Sequence, residues 1–178
     1  IFAKIIFPMT TCYVLFGSNE GNKAEIFDRA CGYINERCGT ITAVSSSYET
    51  EPWGFDSEEW FLNRLVVLET PLPSNDLMRE LLAIEKQLGR VRGDNANRYV
   101  SRSIDLDILY YGETVLHEET LTLPHPRLHL RRFALLPMCE VAPDFVHPVL
   151  HRTQTELLAQ CPDQSMVKCF KNSKTTSN

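Results

Sequence analysis

Asp105 and Asp107 stand two residues apart in an otherwise apolar run, Ile104-Asp105-Leu106-Asp107-Ile108-Leu109-Tyr110-Tyr111. In a β-strand, side chains alternate between faces, so both carboxylates emerge on one side while Ile104, Leu106 and Ile108 emerge on the other. Their Cα atoms then lie roughly 6–7 Å apart, within common reach of divalent ions. Mg²⁺ takes one or two protein carboxylates and fills its remaining positions with water and phosphate oxygens. A solvated strand face is the ordinary explanation of a bare D-x-D. Against it, aspartate is depleted in strands, and two in so apolar a strand require a reason.

A cationic segment precedes this pair. Arg90, Arg92, Arg98 and Arg102 fall within thirteen positions, with no lysine among them. Guanidinium makes forked contacts with phosphate oxygens and keeps its charge throughout the physiological range. Phosphoryl transfer asks the protein mainly for positioning and charge neutralisation, which a cationic loop closing over a polyphosphate supplies. Downstream, Pro124-His125-Pro126-Arg127 is followed by Arg131-Arg132-Phe133. The flanking prolines favour an extended turn, from which the His125 imidazole can donate to a phosphate. His117, His129, His147 and His151 are read as structural. The G-x-x-x-x-G-K-[ST] signature is absent, so a P-loop does not cradle the phosphates.

These groups need elements to hold them. Thr11–Phe16 reads as a buried strand running into the Gly17-Ser18-Asn19 turn. Ile26, Phe27, Ala30, Cys31, Ile34 and Cys38 recur at helical spacing. Ile41–Tyr48 and Phe61–Thr70 read as strands, with Pro52 and Gly54 marking a loop between them. Ser74 is placed as the cap of a second helix that Gly89 stops. Residues 90–101 read as a long loop. Ile104–Tyr111 is a strong strand, expected to turn at Gly112-Glu113 into a hairpin. A short helical segment is expected after Arg131, and Thr153-x-x-Glu156 is a capping box opening a last helix. Strand, helix, strand, strand, helix, strand is the order of an α+β, ferredoxin-like βαββαβ sandwich, with an added hairpin and C-terminal helices.

The 178 residues suit one domain with a proper core, expected over 9–170, with 171–178 as a fraying tail and the apolar 1–8 as an extension outside the fold. With 43% hydrophobic and 23% charged residues, neither disorder nor a membrane class is suggested. A formal net charge of −5 argues against a general nucleic-acid binder, yet seven of the twelve arginines lie between Arg90 and Arg132. A local cationic region on an acidic chain points to a compact anionic ligand. The six cysteines show no C-x-x-C pair and read as small buried residues in a reducing, cytoplasmic compartment.

The chain resembles the 6-hydroxymethyl-7,8-dihydropterin pyrophosphokinases of folate biosynthesis. The resemblance is carried by Gly17-Ser18-Asn19, Tyr48-x-Thr50-x-Pro52-x-Gly54, Phe61-Leu62-Asn63, Gly89-Arg90-Val91-Arg92, Arg98 to Ile108, Pro124 to Arg127, Arg131-Arg132-Phe133 and Glu140-x-Ala142-Pro143. It implies a three-layer ferredoxin-like fold and a reaction converting ATP and a pterin alcohol into AMP and the pterin pyrophosphate. By position, Asp105 and Asp107 would bind two Mg²⁺ ions, and Arg90 and Arg102 would neutralise transition-state charge. Glu85, Arg98, Tyr99, Arg102, Ile108, Thr122, His125 and Arg131 would line the ATP site. Phe61 and Phe133 would sandwich the pterin, with Asn63 and the backbone near Thr50, Pro52 and Trp53 at its polar edge. Tyr99 stands where Trp is frequent in the family and Val100 where a small residue is usual. The expected partners are the small-molecule substrates ATP and hydroxymethyl-dihydropterin, with a monomer expected and neither nucleic acid nor membrane. The residues alone leave two other classes open: a metal-dependent nuclease or nucleotidyl transferase, and a non-catalytic module whose arginines engage an acidic partner.

Overall fold

The computed structural model describes residues 8–50, 60–89 and 104–170. The loop expected around Pro52 and Gly54, the arginine segment 90–101, the extension 1–7 and the tail 171–178 lie outside the described residues.

The first strand, β1 (Thr10–Ser18), leads through the buried Ser18 and Asn19 into α1 (Lys23–Arg37), whose N-terminus is capped by the Asn22 side chain accepting from the Glu25 N–H. Next come β2 (Thr40–Val44), β3 (Ser47–Thr50), β4 (Phe61–Thr70) and α2 (Ser74–Gln87). The strand β5 (Asp105–Tyr111) is followed by the short ladder of β6 (Leu116–His117) with β7 (Thr122–Leu123). A 3-10 turn at Leu128–Leu130, α3 (Arg132–Val141), α4 (Gln154–Ala159) and β8 (Val167–Phe170) complete the described chain.

The main sheet runs β5-β1-β4-β3-β8, with β2 also paired to β4, and every pairing is antiparallel. Taking β2 and β3 as one interrupted strand, the order is that of a ferredoxin-like sandwich. Helices α1 and α2 bury Phe27, Ala30, Ile34, Leu77, Leu81 and Ile84 on one face, against Val14, Phe16, Leu106 and Ile108. On the other face, α3 and α4 bury Leu135, Met138 and Leu157 against Tyr13, Leu15, Leu65 and Tyr110. The molecule therefore has three layers, as expected.

Four local expectations need correction. The strand expected over Ile41–Tyr48 is interrupted at Ser45–Ser46 and resumes as β3, ending at Thr50. Ser74 is the first helical residue and makes no capping bond; Pro73 holds the N-cap position and its carbonyl accepts the Asp76 and Leu77 N–H groups. The chain does turn at Gly112 (φ 51°), but the hairpin it leads to pairs β6 with β7 and not with β5. Strand β8 was not foreseen. Gly89 (φ 97°) stops α2 as expected, and Thr153 and Glu156 form the reciprocal capping box. All six cysteines are free; Cys12, Cys38 and Cys161 are buried, whereas Cys169 is exposed, contrary to the buried reading.

Two stability measurements follow. At Gly39 (φ 151°) an added Cβ would lie 2.2 Å from the Glu69 carbonyl oxygen, a backbone atom that cannot swing aside. Gly39→Ala should lower the unfolding free energy by about 2 kcal/mol or more in urea titration. His147 is buried, and its Nδ1 accepts the Val149 and Leu150 N–H groups. Burial first, then the nearby His129, lowers its pKa from 6.5 to about 4. Between those values the unfolded chain binds the extra proton and the folded one does not, so this contribution is complete above pH ~6.5 and declines as the pH falls toward ~4. His147→Gln should flatten that part of the stability–pH curve.

Candidate active site

Strand β1 is paired on both sides, and its last residues set the geometry of one end of the sheet. Gly17 is opposite Asp105 on β5 and opposite Asn63 on β4, and Asn63 is opposite Tyr48 on β3. One cross-strand row therefore reads Asp105, Gly17, Asn63, Tyr48. Adjacent strands lie ~4.8 Å apart, so the aspartate and asparagine backbones are roughly 10 Å apart, with a residue lacking a side chain between them. A Cβ built on Gly17 would come 3.4 Å from Asn63 Oδ1, which places the amide oxygen over this open position.

The faces follow from the packing. Ile104, Leu106 and Ile108 are buried under α1 and α2, so Asp105 and Asp107, both partly exposed, project toward the α3 side. The expected alternation therefore holds through Ile108. Beyond it the register shifts: Val14 opposes Ile108 but Tyr13 opposes Tyr110. This bulge leaves Leu109 and Tyr110 both in the α3-side core, and it ends the alternation just past the aspartate pair.

Strand β5 lies at the sheet edge, and its outward backbone groups are met by other segments. Glu85, 2% exposed on α2, accepts the Leu106 N–H at 2.7 Å, between the two aspartates. On the same edge the His125 N–H donates to the Leu109 carbonyl at 2.9 Å. His125 Nδ1 accepts the Arg127 N–H at 3.2 Å. Burial, then the charges of Arg131 and Arg127, lowers its pKa to about 4. The ring is thus neutral near pH 7, and with Nδ1 engaged as an acceptor its proton sits on Nε2, available as a donor. Thr122 lies three residues upstream in β7, partly exposed.

Arg131 and Phe133 open α3, and the Arg131 guanidinium carbon lies 5.6 Å from the centre of the Phe133 ring. The Asp163 carboxylate accepts the Arg132 N–H at 3.0 Å and so holds the start of this helix. Burial alone would raise the Asp163 carboxyl, but hydrogen bonds from Ser165 and Arg132 outweigh it and keep it below the usual carboxylate range. Nothing in the spacing around Arg132 signals a partner thirty-one residues away.

Phe61 opens β4 opposite Thr50, and the Asn63 side-chain N–H donates to Thr50 Oγ1 at 3.1 Å. Phe61 and Phe133 are both partly exposed, whereas Asn63 and Thr50 are buried. The described residues thus gather Asp105, Asp107, Asn63, Thr50, Phe61, Phe133 and Arg131 on one face of the sheet, with His125 at its edge. They do not gather Ile108 or Glu85 there: the Ile108 side chain is 3% exposed under α1 and α2, and Glu85 meets the strand from that same layer. Pro52, Trp53, Arg90, Arg98, Tyr99 and Arg102 lie outside the described residues. Among the described residues, no group of three or more His, Cys, Asp or Glu side chains could hold a metal ion. The donor set on this face is two carboxylates, hard oxygen ligands that suit Mg²⁺ completed by water and phosphate.

Comparison with known proteins agrees with the fold and motifs. The model of the 7,8-dihydro-6-hydroxymethylpterin-pyrophosphokinase (HPPK) family matches residues 13–143. The 2-amino-4-hydroxy-6-hydroxymethyldihydropteridine pyrophosphokinase of Porphyromonas gingivalis is 38% identical over 79% of this chain and 95% of its own length. The enzyme of the same name from Haemophilus influenzae is 36% identical over 90% of this chain and 98% of its own. The folic acid synthesis protein fol1 of Schizosaccharomyces pombe is 36% identical over 91% of this chain, which spans 22% of that protein. A Plasmodium falciparum HPPK-DHPS crystal structure with SDX-DHP superposes with a TM-score of 0.69 at 16% identity, over 85% of this chain and 44% of that one. This chain belongs to the 7,8-dihydro-6-hydroxymethylpterin-pyrophosphokinase family, transferases that move a pyrophosphoryl group from ATP to 6-hydroxymethyl-7,8-dihydropterin in folate biosynthesis.

Proposed function

We propose that this chain carries out its family's reaction at the α3-facing end of the sheet, yielding AMP and the pterin pyrophosphate. The observation that carries this is the cross-strand row, which sets a carboxylate and an amide on either side of Gly17. Phe61 and Phe133 offer aromatic faces for a flat heterocycle. Asn63, steadied by Thr50, presents an acceptor to its polar edge, with the backbone near Pro52 and Trp53 completing that edge. A pterin held there directs its hydroxymethyl oxygen toward Asp105 and Asp107, the residues that would hold two Mg²⁺ ions. Held there, the metal would supply neutralisation of the nucleotide's phosphate charge.

The remaining ATP contacts come from the strand edge and the arginines. Neutral His125 donates from Nε2 to a phosphate oxygen, and Arg131 adds charge beside the pterin subsite. Thr122, Arg98, Tyr99 and the backbone of Ile108 line the nucleotide. Glu85 contributes by holding the Leu106 N–H, which keeps the two aspartates in register. Arg90 and Arg102 supply positive charge to the transferred group. The acceptor is the substrate's own hydroxyl, so the protein supplies no nucleophile. One pyrophosphokinase domain over 9–170 acts as a monomer in the cytoplasm. Six unpaired cysteines favour a reducing compartment, and no helix among the described residues is long and apolar enough to cross a membrane.

With Mg²⁺, ATP and hydroxymethyl-dihydropterin, chromatography should show AMP and the pterin pyrophosphate in equal amounts; ADP would refute the assignment. Asp105→Asn and Asp107→Asn should each reduce kcat by roughly 100-fold or more with the thermal midpoint retained. His125→Ala should raise the KM for ATP by about tenfold. It should remove no ionisation between pH 6 and 8, because His125 is already neutral there; loss of such an ionisation would contradict the neutral form assigned to it.

A further inference from the structure

The interruption at Ser45–Ser46 changes which way the next residues face. Val44 opposes Val66, yet Tyr48 opposes Asn63: four steps along β2–β3 match three along β4, so the interruption contains one extra residue. A one-residue slip turns all later side chains to the opposite face. In the unshifted register Tyr48 would oppose Leu62 and face α1 and α2. With the extra residue, Tyr48 and Thr50 share the α3 side with Asn63 and Phe61, and Thr50 Oγ1 meets the Asn63 amide.

The extra residue is held from two sides. Ser45 exchanges hydrogen bonds with Leu65, its N–H donating to the carbonyl at 2.8 Å and its Oγ accepting the N–H at 2.9 Å. Ser46 turns to α3: its N–H donates to both oxygens of the Glu140 carboxylate at 3.0 Å, and its hydroxyl donates to Oε1 at 2.9 Å. The Tyr48 hydroxyl donates to Oε2 of the same carboxylate at 2.6 Å. Burial, then this bond to Glu140, raises the Tyr48 phenol above its ordinary pKa, so it stays a donor. Glu140 lies seven residues, about two turns, beyond Phe133 on α3, and therefore on the same side of that helix.

We propose that Glu140 is a positioning residue for the pterin subsite: without touching the ligand, it locks the Ser45–Ser46 bulge and Tyr48. Thr50 is thereby set to orient the Asn63 amide. This rests on the reading above that Asn63, Thr50, Phe61 and Phe133 hold the pterin.

The test is calorimetric binding of hydroxymethyl-dihydropterin and of a non-hydrolysable ATP analogue to the full chain, for Asn63→Ala, Glu140→Ala, Tyr48→Phe and the paired variants. Glu140→Ala should weaken pterin binding about tenfold and Tyr48→Phe about threefold, with the ATP analogue bound within about twofold of wild type. Because Glu140 acts through Asn63, the Glu140→Ala/Asn63→Ala pair should bind pterin no more weakly than Asn63→Ala alone, within about twofold. Additive losses, equal losses of both ligands, or unchanged pterin binding in Glu140→Ala and Tyr48→Phe would overturn the proposal while leaving the pterin site in place. Unchanged pterin binding in Asn63→Ala would instead remove the site itself, and the proposal with it. Should Glu140→Ala fail to fold, Tyr48→Phe and its pair with Asn63→Ala make the same comparison, since the Tyr48 ring remains to fill its buried place.

Discussion

The double pairing of β1 is the constraint on which the rest depends. Its hydrogen bonds to β4 on one side and β5 on the other fix three strands in one register, and Gly17 is where that register opens a gap. Side-chain alternation then leaves no freedom: if Leu15 is buried in the α3-side core, Gly17, Asn63, Asp105 and Asp107 all belong to the same face. The apolar residues between them are what enforce this. Leu106 and Ile108 must be buried under α1 and α2, so the aspartates are presented on the opposite face by the packing energy of their neighbours.

Electrostatics refine this arrangement. Two carboxylates on one face repel each other, and under the proposed function a divalent ion bearing phosphate would relieve that repulsion. His125 is kept neutral by burial and by the two arginines near it, so it adds a directed donor without adding charge. Glu85 is a buried carboxylate used for geometry: it occupies the edge of β5 where a neighbouring strand would otherwise satisfy Leu106.

What could be read from the sequence divides along physical lines. Strand β4 spans Phe61–Thr70 as expected, because its alternating apolar residues serve two faces at once. The aspartate pair, the stop at Gly89 and the Thr153–Glu156 box are local signals, and each appears where its spacing placed it. The bulge at Leu109 and the break at Ser45–Ser46 were invisible, since each is held by partners distant in sequence: Tyr13 and Val14 on β1 in one case, Leu65 and Glu140 in the other. Ser74 misled for a related reason, as Pro73 already supplies the first turn's acceptor through its carbonyl. Strand β8 exists through its ladder with β3, and its four residues are too few for a periodic signal. Phe61 and Phe133 carried no mark of their own beyond a resemblance. Family membership decides among the three classes the residues left open, in favour of the pyrophosphokinase.

The central claim, that Asp105 and Asp107 jointly hold divalent ions against the nucleotide, is tested most directly by counting bound metal. Electron paramagnetic resonance of free Mn²⁺ should show two ions taken up per wild-type chain in the presence of a non-hydrolysable ATP analogue and the pterin. The Asp105→Asn/Asp107→Asn chain should take up no more than the nucleotide binds alone in solution. Undiminished uptake of both ions by that variant would contradict the account.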